Sequence, residues 1–188
     1  MNTIIVLFYV LMILWFVSEL FYKKTLLSKA TDYKEQGFSV NILWTVFMVS
    51  IFSAVTVSHI ISNPIYQSIT LSYFALILIF ASILARYFII RALGRFFTVD
   101  VSIKDNHSIK KDGFYRFIRH PSYLFSLITF LSLGLFLNNC ISLIVIIVPT
   151  FLAYSYRIKI EENLLQEKLG NEYKSYMKTT KKLIPFIY

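Results

Sequence analysis

A single cysteine, Cys140, stands in a chain of 188 residues. That excludes an internal disulfide and any metal site built from several cysteines. The histidines, His59, His107 and His120, are too scattered to spell out a metal site, and none is assigned. Glycine is scarce, and Leu93-Gly94-Arg95 has neither the strand nor the loop context of a nucleotide motif. Charge is scarce too, at 15% of residues against about 25% for a soluble domain. There is no internal repeat and no low-complexity tract. Acidic residues are the scarcer sign, 10 against 19 Lys and Arg, for a net charge of +9. Such a balance can signal nucleic acid, but the basic residues here lie between apolar runs, where they orient a membrane protein and sit near anionic lipid. No nucleic-acid partner is expected, and no obligate protein partner.

What the chain has is apolar length, with hydrophobic residues at 57%. A bilayer core about 30 Å thick needs about 20 helical residues. Runs over 4–21, 38–62 and 65–90 satisfy this, and shorter runs over 121–137 and 141–156 are parted only by Asn138-Asn139-Cys140 and its neighbours. The pattern predicts an all-α integral membrane protein, residues 1–188 forming one domain with five transmembrane helices. The last two form a tight hairpin, with a re-entrant hairpin as the alternative. Pro121 suits the first turn of helix four, where a missing N–H costs little. Beyond helix five, Ile158, Leu165, Leu169 and Tyr173 recur at roughly helical spacing, predicting an amphipathic helix on the inner surface, broken at Gly170 and resumed at Asn171. Val99, Val101 and Ile103 alternate with polar residues and predict a short extended piece.

The lysines and arginines fall after helix one, between helices three and four, and after helix five, while Ser62–Ser68 and Asn138–Cys140 carry no charge. Arg86 lies one turn inside helix three on that same side. The expected topology puts the N-terminus outside and the C-terminus in the cytoplasm. Met1-Asn2-Thr3 offers no basic segment before the first apolar run, which argues against a cleaved signal peptide.

Two polar clusters carry the chemistry. His107, Tyr115, Arg119, His120 and Tyr123 gather near Gly113 and Pro121 in the connection before helix four. Imidazole and phenol can hydrogen-bond and stack on a flat base, and Gly113 permits positive φ or close backbone approach. The plainer account is lipid anchoring by Arg119 and Lys111 with an interfacial tyrosine belt; a belt does not require Gly, His and Pro in this order. The second cluster is Arg157, Glu161 and Glu162. Arg157 and Glu161 at i, i+4 share a helix face, so a salt bridge is the default, and the two glutamates diverge by about 100°, leaving one for another cation or a proton. Glu19, at the inner end of helix one, is explained by snorkelling, and His59 by an interfacial position. Arg86 snorkels or reaches the loop before helix four.

The segment from His107 through Lys110, Gly113, Tyr115 and Arg119 to His120-Pro121-Ser122-Tyr123 resembles the isoprenylcysteine carboxyl methyltransferase family. So do Arg157, Glu161-Glu162, Leu165, Leu169-Gly170, Tyr173 and Tyr176, with Leu183-Ile184-Pro185 near the end, and Arg86-Tyr87 with Leu93-Gly94-Arg95-Phe96. The likeness covers roughly residues 80 to 188, and the small size and minimal N-terminal region resemble prokaryotic members. It implies a membrane methyltransferase that uses S-adenosyl-L-methionine without a Rossmann domain, its cofactor and catalytic region spanning about 91–123 and 157–188. The cofactor would be held by His107, Ser108, Ile109, Lys110, Gly113, Tyr115, His120, Pro121, Ser122, Tyr123 and Glu161. Arg157 would grip the acceptor's carboxylate, with Arg86 as a second substrate contact and Glu162 serving catalysis. Lys111 departs from the small hydroxyl residue often found two places before the motif glycine. The expected acceptor is a lipidic or prenylated molecule, most directly the carboxylate of a prenylcysteine-like substrate. Rival readings are O- or N-methylation of another small lipid, a heme or quinone carrier using His107 and His120, and a non-catalytic scaffold.

Overall fold

The computed structural model describes residues 2–25, 33–34, 40–94, 97, 102–103, 109–185 and 187–188. Five α-helices follow one another: α1 (Asn2–Thr25), α2 (Val40–Ile60), α3 (Thr70–Leu93), α4 (Pro121–Phe136) and α5 (Cys140–Thr179). A two-residue strand β1 (Tyr33–Lys34) pairs antiparallel with β2 (Ser102–Ile103), Tyr33 opposite Ile103. The predicted extended piece survives at Ile103, while Val99 and Val101 lie outside the described residues.

Among the described residues four helices, α1, α2, α3 and α5, are long and apolar enough to cross a membrane. The expected count of five crossings is thus not confirmed. Helix α4 has 16 residues and, at about 1.5 Å per residue, is shorter than the bilayer core. Pro121 sets its start, and Asn138, at φ 48°, turns the chain after it. Asn139 then caps α5 by accepting a hydrogen bond from the Ser142 N–H at 2.9 Å. The predicted α4–α5 hairpin therefore forms, as a short arm against a long one.

The larger correction concerns α5. It does not stop near residue 156 but runs unbroken through Arg157, Glu161 and Glu162 to Gly170, where φ reaches 54° and the helix kinks. The drop in hydropathy at Arg157 marks the end of the apolar run, not of the hydrogen-bonded helix, because backbone bonding is indifferent to side-chain polarity in this stretch. The expected separate amphipathic helix is thus an extension of α5. Helix α3 also starts later than expected, at Thr70, after a non-helical stretch from Ile61.

Helix α4 packs against α3 and α5, α2 packs against α5, and α1 lies beside α3. Lipid tails are as apolar as leucine, so helices associate through close packing and local hydrogen bonds. The contacts obey this. Ala54 and Ala75 are fully buried. The Ser82 and Thr129 hydroxyls join α3 to α4 at 2.8 Å, and Ser142 donates to the Ala54 carbonyl at 2.7 Å. Phe47, Phe130 and Tyr154 centre the core, while Phe52, Ile77 and Leu152 face outward. The two uncharged connections meet at one end of the bundle: Asn138 binds the backbone of Ile65 and Tyr66, and Asn139 Nδ2 donates to Ile61. The candidate site, around His120 at the head of α4, lies at the other end.

Candidate active site

Gly113, at φ 59°, opens a short 3₁₀ turn over Gly113–Arg116, and the space a side chain would fill there is open. Tyr115 in this turn is buried, and its carbonyl accepts a hydrogen bond from the Tyr176 hydroxyl at 2.6 Å. Burial, with the Glu161 charge second, pushes the Tyr115 phenol up, so it stays neutral. The backbone that follows is laid against the segment after α5. Lys181 N–H donates to Phe117, Arg119 N–H to Lys181, and His120 N–H to Lys182, at 2.9–3.1 Å. His120 and Pro121 are thereby fixed from both sides before α4 begins.

Arg119 is not a lipid anchor. Its Nε donates to Glu162 Oε1 at 2.7 Å, and one Nη donates to the carbonyls of Thr180 at 2.6 Å and Met177 at 3.3 Å. The guanidinium closes the carboxyl end of α5 and neutralises Glu162 at once. His120 Nε2 sits 3.2 Å from the same carboxylate oxygen, and Lys182 Nζ is 3.8 Å from the other. Glu162 is the buried member of the glutamate pair. Expected to serve catalysis, it holds Arg119 and His120 in this structure. Lys111, the other expected anchor, pairs with Glu172 at 2.9 Å.

Glu161, one residue earlier, points to a different set. The Tyr123 hydroxyl donates to its Oε2 at 2.8 Å and accepts from Arg157 Nε at 2.8 Å. The default Arg157–Glu161 pairing is therefore mediated by a phenol contributed from α4. Arg157 is almost wholly buried. Its guanidinium lies 5.8 Å from the centre of the Tyr123 ring, and His120 stacks on that ring at 5.6 Å. Tyr154 packs against the Tyr123 ring, the ring centres 5.1 Å apart. The side chain of Glu161 keeps 31% exposure, so this carboxylate alone of the pair remains open to a visitor.

Of the other expected residues, Pro121 and Ser122 are buried at the head of α4, and Ile109 and Lys110 are half-buried, with Lys110 bound to Asp112. His107 and Ser108 lie outside the described residues. Arg86 and Glu19, read separately as snorkelling side chains, are paired with each other across α3 and α1. Sequence reasoning missed Tyr154, Thr180 and Lys182, and named Tyr176 only as part of the likeness. The Leu183-Ile184-Pro185 likeness was the available signal, since it marks the segment on which Thr180 and Lys182 sit.

The model of the isoprenylcysteine carboxyl methyltransferase (ICMT) family matches residues 73–167, from α3 through the Arg157–Glu162 cluster. The chain belongs to the isoprenylcysteine carboxyl methyltransferase family. It is 30% identical to protein-S-isoprenylcysteine O-methyltransferase A of Arabidopsis thaliana over 106 residues, covering 55% of this chain and 54% of that one. It is 33% identical to the Schizosaccharomyces pombe protein-S-isoprenylcysteine O-methyltransferase over 96 residues, covering 50% of this chain and 41% of the other. The chain thus spans about half the length of the curated relatives it matches, or less. These relatives are eukaryotic, and the expected prokaryotic affiliation is not borne out by them. The fold is that of a eukaryotic intramembrane Ras methyltransferase of the ICMT type, with a TM-score of 0.62 at 21% identity over 80% of this chain and 55% of the solved one. In this ICMT-family chain the two motif clusters are one connected network, not two neighbouring patches.

Proposed function

We propose that this integral membrane protein is an S-adenosyl-L-methionine-dependent methyltransferase that acts on a lipidic acceptor, the carboxylate of a prenylcysteine-like molecule. The observation that carries the reading is the Arg157–Tyr123–Glu161 relay, locked by His120 stacking to the Glu162–Arg119 clamp. The residues suit the cofactor. Glu161 offers a half-open carboxylate to an ammonium or sulfonium, Gly113 leaves open space beside the backbone, and Tyr115, His120 and Tyr123 supply aromatic walls and donors. Ile109, Lys110, Pro121 and Ser122 complete the surround, with His107 and Ser108 proposed on the family likeness. The bound cofactor supplies a methyl group on a cationic sulfur.

An ionised carboxylate is already a nucleophile and needs no general base. The chain's task is to align one acceptor oxygen, and alignment alone can supply much of the rate. Arg157 grips that carboxylate, with Arg86 as a second contact. Glu162 serves as a positioning residue that keeps His120 and Arg119 in place. The acceptor enters sideways from the bilayer, and the cofactor enters from the cytoplasmic side, where the basic connections lie. Titration calorimetry with S-adenosyl-L-methionine in detergent tests the reading. One-site binding is expected, and no heat at millimolar cofactor would refute it.

A further inference from the structure

Helix α1 lies outside the family-matched segment, yet it carries a carboxylate into the bundle. Trp15, Glu19 and Tyr22 fall at i, i+4 and i+7 and so share one face of α1. Trp15 and Tyr22 are buried on that face. Glu19 binds one Nη of Arg86 on α3, the two side chains being 13% and 12% exposed, and the Tyr22 ring lies 5.8 Å from the guanidinium. Two donors in this corner have no acceptor among the described residues: Arg86 Nε and Trp15 Nε1, both buried. Buried N–H groups are rarely left so. An arginine fork normally offers Nε and Nη together to a carboxylate; Glu19 engages a single arm. Arg86 also interacts electrostatically with Tyr154 and Tyr123, and Tyr123 is the phenol between Arg157 and Glu161.

We propose that Glu19 is a positioning residue for the lipidic acceptor. It holds Arg86 by one arm in an electrically neutral pair and keeps the Nε edge available to an oxygen of the acceptor's anionic head. This rests on the reaction proposed above. A lone guanidinium in an apolar span would slide toward the nearest polar boundary. The Glu19 carboxylate keeps Arg86 at the depth of Tyr123 and Tyr154. The device belongs to α1, so acceptor preference can differ between chains that share the matched segment but not this helix.

The test uses the full chain in detergent with an N-acetylated S-prenylcysteine as probe. Losing one charge-assisted hydrogen bond predicts that Glu19→Gln raises KM for the probe about tenfold, with kcat within about twofold. Cofactor affinity should stay at the wild-type value. Glu19→Asp keeps the charge on a shorter arm and should recover only part of the loss, with a KM between those of wild type and Glu19→Gln. An unchanged KM in Glu19→Gln overturns the proposal; so does a lowered KM, which would make Glu19 a competitor for Arg86. Should Glu19→Gln fail to fold, Glu19→Asp decides, because its shorter arm predicts an intermediate KM and a wild-type value refutes. Probe affinity without cofactor, read as a thermal shift, separates the two readings. A wild-type protein that binds the probe without methylating it removes the reaction, and the affinity of Glu19→Gln then decides the role of Glu19.

Discussion

The guanidinium of Arg119 joins the two segments on which the site depends. It pairs with buried Glu162 on α5 and satisfies carbonyls at the end of the same helix, while its backbone is tied to Lys181. Removing one partner of a buried ion pair leaves an uncompensated charge. Arg119→Ala should therefore destabilise the folded protein by about 3–5 kcal/mol, measured by equilibrium unfolding in mixed micelles. A loss under about 1 kcal/mol would return the residue to the weak role of an exposed pair. His120 is a milder case. Its ring contacts Glu162 and stacks on Tyr123, so His120→Ala should weaken cofactor binding by about 1 kcal/mol, roughly fivefold, with the fold retained. Calorimetry beside circular dichroism checks it; normal cofactor affinity would make His120 purely structural. At this scale the residues of the site were legible, since Tyr115, His120, Tyr123, Arg157, Glu161 and Glu162 all stand out by type and order. Their partners were not. Spacing predicts that Arg157 and Glu161 are neighbours on one helix, but only the packing of α4 puts the Tyr123 hydroxyl between them. Glu19 and Arg86 are too far apart in the chain for any local pattern to pair them.

Among the elements, α4 and α5 set the geometry, and their separation is fixed by Gly134. A methyl group at that position would stand 2.5 Å from Leu143 Cδ1 and 3.0 Å from Leu143 Cα. The leucine side chain can turn away but the backbone must shift. Gly134→Ala is expected to cost about 1–3 kcal/mol and to lower turnover by displacing Tyr123 relative to Arg157. Thermal unfolding together with turnover measures both; an unchanged midpoint would mean that the hairpin is looser than drawn. The apolar runs announced all five helices, because hydropathy reports burial in lipid or core. It did not announce that α5 continues past Tyr156. That continuity matters, for it carries Arg157, Glu161 and Glu162 on one stiff rod from the membrane-spanning part of the helix into the polar cluster.

For the whole molecule, the asymmetry of charge predicts one cytoplasmic face that holds the site. The uncharged connections, joined through Asn138 and Asn139, are predicted to lie on the other face. In a Cys140→Ser background, single cysteines at Ser62 and Lys111, both exposed, should react with impermeant reagents from opposite sides of the membrane. Labelling of both from one side would overturn the topology. This level was the least legible in local sequence, since α1 and α2 carry no motif and their places are set by packing on α3 and α5.

The central proposal is that Arg157 grips an acceptor carboxylate at the point where the cofactor presents its methyl group. Transfer of labelled methyl from S-adenosyl-L-methionine to an N-acetylated S-prenylcysteine, compared between wild type and Arg157→Lys, tests that most directly. Lysine keeps the charge and loses the planar fork that can bind Tyr123 and a carboxylate together. Clear transfer by wild type is expected, with a loss of about 100-fold or more in Arg157→Lys and cofactor affinity largely retained, since the interaction acts on the aligned acceptor. Near-wild-type transfer by Arg157→Lys would contradict the proposal and point to a neutral or phenolic acceptor.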